Sequence, residues 1–372
     1  MAADHRLAVD LGRSLQVDAR NSHNRWHPDI PPALRVAPGE TVEFEVRDAF
    51  DLAIGPGAGS EALGGLELGR EHPLTGPIFV EGAEPGDALE VELLSFVPAR
   101  RAFSLVFPGF NALPERFADP IVTHWEIEDG VARAADIPGV ALRGEPFIGT
   151  AGVAPSMATL ARVAEREARL AAEGVSLMLP TADFAVPAEP AGLAAEALRT
   201  MPAREVGGNM DVPQFGVGSV VRYPVEVPGA LFSVGDPHFL QGDGELSGSA
   251  IEMSATVTMR FGLVKAADLA WAPPAPSAVR REQARAAQDW LVTTGISVDA
   301  DGVDRDKDVG LAAHNAVAAM VDRVVAEHGL EPWQAFTVVS LTAQLRISLM
   351  VVSPNAVVTA EVPADVFARR DG

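Results

Sequence analysis

Residues 235–252 place Asp236, His238, Asp243, Glu245 and Glu252 in one short stretch, interrupted by Gly235, Gly242, Gly244 and Gly248. Small residues let a backbone fold tightly, so several carboxylates and an imidazole can converge on one point. Convergent oxygen and nitrogen donors are what a divalent metal, or a metal-like hydrolytic site, requires. The competing reading is an acidic, glycine-rich hairpin facing solvent.

Three further blocks carry reactive side chains. In 204–211, Gly207 and Gly208 permit a bend that puts Asn209 and Asp211 on same-side positions. There an amide and a carboxylate could hold a carbonyl substrate and a metal or water, although a plain Gly-Gly turn explains the same residues. In 72–87, Glu81 ends a short apolar run, where partial burial would suit a general base; equally, Glu81 and Glu84 could simply fix a turn. In 22–32, His23 and His27 stand four apart, but Pro28, Pro31 and Pro32 argue against a helix that would align them. That loop either lines a pocket or interface, or is locked by its own hydrogen bonds. The Asp-rich segment 299–308 lacks EF-hand spacing and reads as a solvated loop capping the next helix.

Several chemistries are excluded. With no cysteine there is no thiol nucleophile, thiolate metal site or disulfide. No Gly-x-Ser-x-Gly elbow, phosphate-binding loop or dinucleotide fingerprint occurs. Lys265 and Lys307 are the only lysines, which leaves little for Lys-dependent catalysis. Hydrolysis, if present, would proceed through carboxylates and metal-activated water.

The elements that must position these groups read mainly as β in the first half. Period-two alternation runs through 40–46 and 88–94, each after a Pro-Gly turn, and returns in 217–234 and 250–261. Half-buried alternating strands usually belong to a sandwich or barrel. Helices are expected at 156–173, with Ser156 as cap and Gly174 as stop, and at 280–291 and 309–328, with a short one inside 187–202. The proline-rich 271–277 reads as a linker. This divides the 372 residues into a β-rich portion over 1–150, a helix-plus-β portion carrying the acidic site over 151–270, and a helical and β portion over 278–372.

A formal charge of −22 disfavours phosphate backbones and anionic membranes, and favours neutral or cationic small molecules. No apolar run reads as a membrane span and no signal-type stretch opens the chain, so a cytoplasmic location is the expectation.

The four blocks together resemble the acetamidase/formamidase family, and its formamidase branch most closely. The matching stretches are 23–32 (His-Asn-Arg-Trp-His-Pro-Asp-Ile-Pro-Pro), 76–87 (Gly-Pro-Ile-Phe-Val-Glu-Gly-Ala-Glu-Pro-Gly-Asp), 207–211 (Gly-Gly-Asn-Met-Asp) and 235–245 (Gly-Asp-Pro-His-Phe-Leu-Gln-Gly-Asp-Gly-Glu). The resemblance implies an α+β, β-rich fold with a jelly-roll-like β-sandwich and additional α/β portions, usually homo-oligomeric. It implies hydrolysis of a short neutral amide, formamide or acetamide, to the acid and ammonia. Carried over by position, Asp211, His238 and Glu245, with Asp243 as a fourth, would ligate a divalent ion, zinc or calcium. Glu81 would shuttle the proton, with Asp211 and His238 as further catalytic groups, and Asn209, Gly208 and Thr75 would bind substrate. Two alternatives accompany this: a urea-, guanidine- or carbamate-like substrate, or a metal-stabilised homologue without turnover. The chain departs from the family pattern at Ser247, where Cys is common, and at Gln344, Leu349 and Ser353.

Overall fold

The computed structural model describes residues 2–175, 177–279, 289–351 and 353–367. A six-stranded sheet runs in the order His5–Leu7, Thr41–Val46, Ala255–Val264, Ala88–Pro98, Val220–Pro224, Ser277–Val279. A second sheet orders Ala203–Arg204, Gly207–Asn209, Phe147–Gly152, Phe232–His238, Leu74–Val80 and Ser22–His23, with Leu34–Val36 pairing in parallel to Leu74–Val80. The alternation in Thr41–Val46 sends Val42, Phe44 and Val46 inward. There they meet Ile78, Val80, Phe232 and Val234 of the second sheet in one apolar core. Each such side chain, fully removed from water, contributes roughly 1.5–3 kcal/mol. The β-rich character expected from the alternation is therefore present, with two sheets sharing a core.

A second core lies beside the sandwich. Helices Val309–His328 and Pro332–Thr342 pack with a three-stranded sheet (Trp290–Ile296, Val357–Pro363, Gln344–Leu349) and with the four-stranded sheet begun by Arg101–Val106 and Ile121–Glu128. Phe117 stacks on Phe336 at 4.4 Å between ring centres. This core draws on residues 102–142, 239–253 and 316–367, so widely separated stretches of chain close it together.

The expected helices form at Met157–Ala172, Ala191–Glu196 and Val309–His328. Ser156 Oγ accepts from Thr159 N at 3.2 Å, and Asp308 Oδ1 from Leu311 N at 2.9 Å, so the Asp-rich loop does cap its helix. Val309–His328 is long and apolar enough to cross a membrane by length and composition, contrary to the sequence reading. It nevertheless buries Ala312, Ala316, Val317, Met320, Val321 and Val324 inside the protein. Of the helix expected over 280–291, residues 280–288 lie outside the described residues, and Trp290 and Leu291 open a strand instead. The 250–261 strand begins only at Ala255, because 250–252 turn back to bridge His238 and Phe103 through Glu252.

Candidate active site

The site forms where three strands of the second sheet end or bend. Phe147–Gly152 lies between Phe232–His238 and Gly207–Asn209. Phe232 and Val234 face the sandwich core, and strict alternation would send Asp236 and His238 after them. A positive φ of 59° at Asp236 breaks that period and turns both away. Gly207, at φ 115°, makes the bend that brings Asp211 back over the sheet; a Cβ there would lie 2.3 Å from the Ala151 carbonyl oxygen. The amides of Met210 and Asp211 both donate to the Gly149 carbonyl, at 3.1 and 3.3 Å. His72, Asp211, Asp236 and Glu245 all have positive φ, between 46° and 59°, a conformation that side chains other than glycine adopt at a cost.

His238 is the hub. Its Nε2–H donates to Asp236 Oδ1 at 2.8 Å, and Glu252 Oε2 lies 3.3 Å from the same nitrogen. Its Nδ1 faces Asp211 Oδ1 at 3.8 Å, and neither of these buried atoms has a hydrogen-bond partner. Asp211, His238 and Glu245 each offer a donor atom, all within 4.8 Å of one another. Asp236 is also 3.4 Å from His72 Nδ1, which lies 3.1 Å from Thr150 Oγ1. The Thr150 hydroxyl reaches Asn209 Oδ1 at 2.8 Å and Asp236 Oδ2 at 3.1 Å, its single proton serving one at a time.

The electrostatics follow from crowding. Burial alone would raise the Asp236 carboxyl, but the His238 and His72 charges hold it well below its ordinary range. Burial would lower His72, yet Asp236 and Glu71 push it up to about 9. His238 likewise rises well above the ordinary imidazole against its burial, because Asp236 and Glu252 favour its charged form. Asp211 is pushed up to about 7 by burial and then by Asp236, and Glu245 rises well above its range by burial and the charge of Asp211. The carboxylates outnumber the imidazoles here, so the site calls for added positive charge. A divalent cation between Asp211, His238 and Glu245 would supply it, and the two unpartnered buried atoms fit that role. Asp236, on the far nitrogen of His238, would fix its tautomer as carboxylates commonly do behind metal-binding imidazoles.

Above this cluster opens a cavity of about 230 Å³. Its floor is Glu71, His72, Asn209, Asp236, Glu245 and Glu252; Phe50, Leu68, Phe107, Phe110 and Met201 give it an apolar wall.

Of the residues expected from sequence, Asp211, His238, Glu245 and Asn209 come together here, and Gly208 pairs with Ala151 just behind Asn209. Three do not. Glu81 is half-exposed at the end of its strand, 3.4 Å from Arg35 Nη1, because the Leu74–Val80 strand carries its other end, at His72, to the cavity. The Asp243 carboxylate accepts from Leu345 N at 3.0 Å and so anchors the neighbouring strand. Thr75 donates to the Glu45 carbonyl at 2.8 Å, toward the other sheet. The loop 22–32 is tied to distant segments and does not line the cavity: His23 lies 2.8 Å from Ser233 Oγ, and Arg25 donates to the Asp183 carbonyl at 2.7 Å. Ser247 is buried against Ser340, 3.0 Å between hydroxyl oxygens. Gln344, Leu349 and Ser353 lie on the outer three-stranded sheet and the loop after it; Ser353 bonds Asp306, and none of the three lines the cavity. Sequence reasoning missed Glu71, His72 and Thr150 as site residues, although His72 opens one of the four blocks; no local spacing marks Thr150.

A β-rich fold that gathers carboxylates and imidazoles under a small cavity defines a hydrolase-type site for a small molecule. Residues 8–369 match the Acetamidase/Formamidase family, and the chain belongs to it. It is an amidohydrolase. It is 34% identical over 336 residues to the acetamidase of Mycolicibacterium smegmatis, covering 83% of each chain. It is 31% identical over 379 residues to the formamidase of Methylophilus methylotrophus, covering 97% of this chain and 93% of that one. Among solved structures it is similar to the gamma lactamase from Delftia acidovorans, with a TM-score of 0.93 and 34% identity over 98% of this chain and 93% of that one.

Proposed function

We propose that the protein hydrolyses a short aliphatic amide to its carboxylic acid and ammonia at the Asp211–His238–Glu245 cluster. The observation that carries this reading is the pair of unpartnered buried donors, Asp211 Oδ1 and His238 Nδ1, beside Glu245 at the floor of the 230 Å³ cavity. A divalent ion held by Asp211, His238 and Glu245 would supply Lewis acidity, polarising the amide carbonyl and acidifying water. A nitrogen donor among the carboxylates supports zinc over calcium, which prefers oxygen throughout. Asn209, with its Oδ1 turned to the Thr150 hydroxyl, keeps its amide N–H groups to orient a carbonyl oxygen at the cavity floor. Asp236, itself paired with His72, holds His238 in one orientation from behind.

A second substrate reading has its own support. The apolar wall of Phe50, Leu68, Phe107, Phe110 and Met201 offers more contact than formamide can use, and the similar Delftia acidovorans protein is a gamma lactamase. A cyclic amide would place its ring methylenes on that wall. Purified protein tested on formamide, acetamide and a five-membered lactam separates the readings. Linear amides release ammonia, whereas lactam opening creates a primary amine and releases none. Turnover abolished by chelation and restored by zinc supports the metal site; turnover indifferent to chelation dismisses it. Self-association is part of the same proposal: Ile296, Ile347, Met350 and Val351 leave apolar surface exposed around the three-stranded sheet, and light scattering of the purified chain tests it.

A further inference from the structure

Glu71 is the least satisfied charged side chain near the cavity. It is only 5% exposed, yet neither carboxylate oxygen has a hydrogen-bond partner. An orphaned buried carboxylate is costly, and it persists only where the surroundings impose it. The local fold does so: the Thr200 hydroxyl bonds the Glu71 carbonyl at 3.3 Å, and the adjoining His72 is fixed against Thr150 and Asp236. Glu71 also borders a second cavity of about 210 Å³, lined with Ser14, Asp51, Glu67 and Arg70. Phe50 and Glu71 line both spaces, so Glu71 stands between the reaction cavity and a second one.

We propose that Glu71 is the proton-transfer residue of the amide hydrolysis, with the second cavity giving it exchange with solvent. The assignment rests on the amidase reading and replaces the exposed Glu81 in that role. As water oxygen bonds to the amide carbon, Glu71 takes one water proton. As the carbon–nitrogen bond breaks, Glu71 returns that proton to the departing nitrogen. The products are the carboxylic acid and ammonia, which settle as carboxylate and ammonium, and Glu71 is regenerated. Free oxygens suit this cycle, since a carboxylate tied up by fixed donors would be a weaker base. Burial pushes the Glu71 carboxyl up to about 7, offset in part by His72 and Arg199, which matches a group that must both accept and release a proton near neutrality.

The test is steady-state ammonia release from acetamide by wild type, Glu71→Gln and Glu71→Ala, with metal content and melting temperature measured on each. Expected for Glu71→Gln is a kcat lower by about 10²–10³-fold, a KM and metal content near wild type, and loss of the rise in rate with pH through neutrality. Azide should restore part of the Glu71→Ala rate by standing in for the missing base. A Glu71→Gln kcat within threefold of wild type overturns the proposal and leaves the amidase intact. If Glu71→Gln fails to fold, Glu71→Ala decides: azide rescue upholds the role and absence of rescue overturns it. A wild type that releases neither ammonia nor, from a lactam, amine sinks the amidase reading and this one with it.

Discussion

Adding one carbon at Gly149 tests the site without touching a reactive group. An ideal Cβ there would lie 2.4 Å from Asp236 Oδ2, 2.6 Å from Asp211 Oδ1 and 2.7 Å from His238 Cε1. Ordinary contact begins near about 3.5 Å, so the three side chains would have to retreat by roughly 0.8–1.1 Å in different directions. Gly149 lies in a regular strand, so alanine strains no backbone angle there and the effect is steric. Overpacking of this size costs about 1–3 kcal/mol of stability, which a chain with two large cores should survive folded. A displacement near 1 Å at reacting groups costs about 10²-fold in rate, and spreading Asp211 from His238 should weaken metal binding as well. The expected Gly149→Ala protein therefore folds, melts a few degrees lower, holds less of the divalent ion proposed for the site and turns over about a hundred times slower. Ammonia assays, metal analysis and calorimetry on one preparation give all these quantities. Full activity with full metal content would refute the placement of the site over Gly149.

Asp236→Asn removes the carboxylate that orients His238 and should cut metal affinity by about 10–100-fold; competition with a chelating dye measures it, and unchanged affinity would put the ion elsewhere. Glu81→Gln should leave kcat and KM near wild type and shift stability by less than about 0.5 kcal/mol, since Glu81 pairs with Arg35 at the surface; a large loss of turnover would restore its catalytic assignment. Asp48 is buried, which raises its carboxyl from 3.8 to about 7 while its Oδ1 accepts from Phe50 N at 3.0 Å. A folded value above the unfolded one gives stability that is full below about pH 4 and lost as pH rises to about 7, at most about 4 kcal/mol. Asp48→Asn keeps the acceptor and should flatten that decline in urea unfolding between pH 4 and 8; parallel curves for the two proteins would contradict it.

Local patterns reported local structure well. The cap and stop at Ser156 and Gly174 bound a real helix, Asp308 and Gly329 bound another, and the alternation of 41–46 lies on the sandwich core. The block 235–245 also supplies His238 and Glu245 of the proposed site, because tight turns and donors sit together in sequence. What stayed hidden depends on pairing between distant strands. Thr150 and Gly149 matter only because Phe147–Gly152 runs beside both Phe232–His238 and Gly207–Asn209. Glu71 and Glu81 flank the same strand, and a period of two cannot say which end reaches a cavity. Asp243 has the right type and neighbours, but its carboxylate is already spoken for by Leu345. The helix Pro332–Thr342 is buried on every side from Ala335 to Thr342, its Thr337, Ser340 and Thr342 included, so it has no solvent face for a periodic pattern to mark.

The four left-handed residues of the site carry a consequence for the energy of the whole molecule. Each of His72, Asp211, Asp236 and Glu245 holds a backbone conformation worth about 1–3 kcal/mol less than a relaxed one. Their sum rivals the net stability of an ordinary domain. The rest of the fold must therefore be sturdier than its melting point alone would suggest, because it holds the catalytic backbone in place against a standing preference to relax. Glycine at position 245, where φ is 47° and no helix or strand needs a side chain, should yield a protein that melts higher and catalyses nothing. In this molecule the proposed active site is the part the fold would be more stable without.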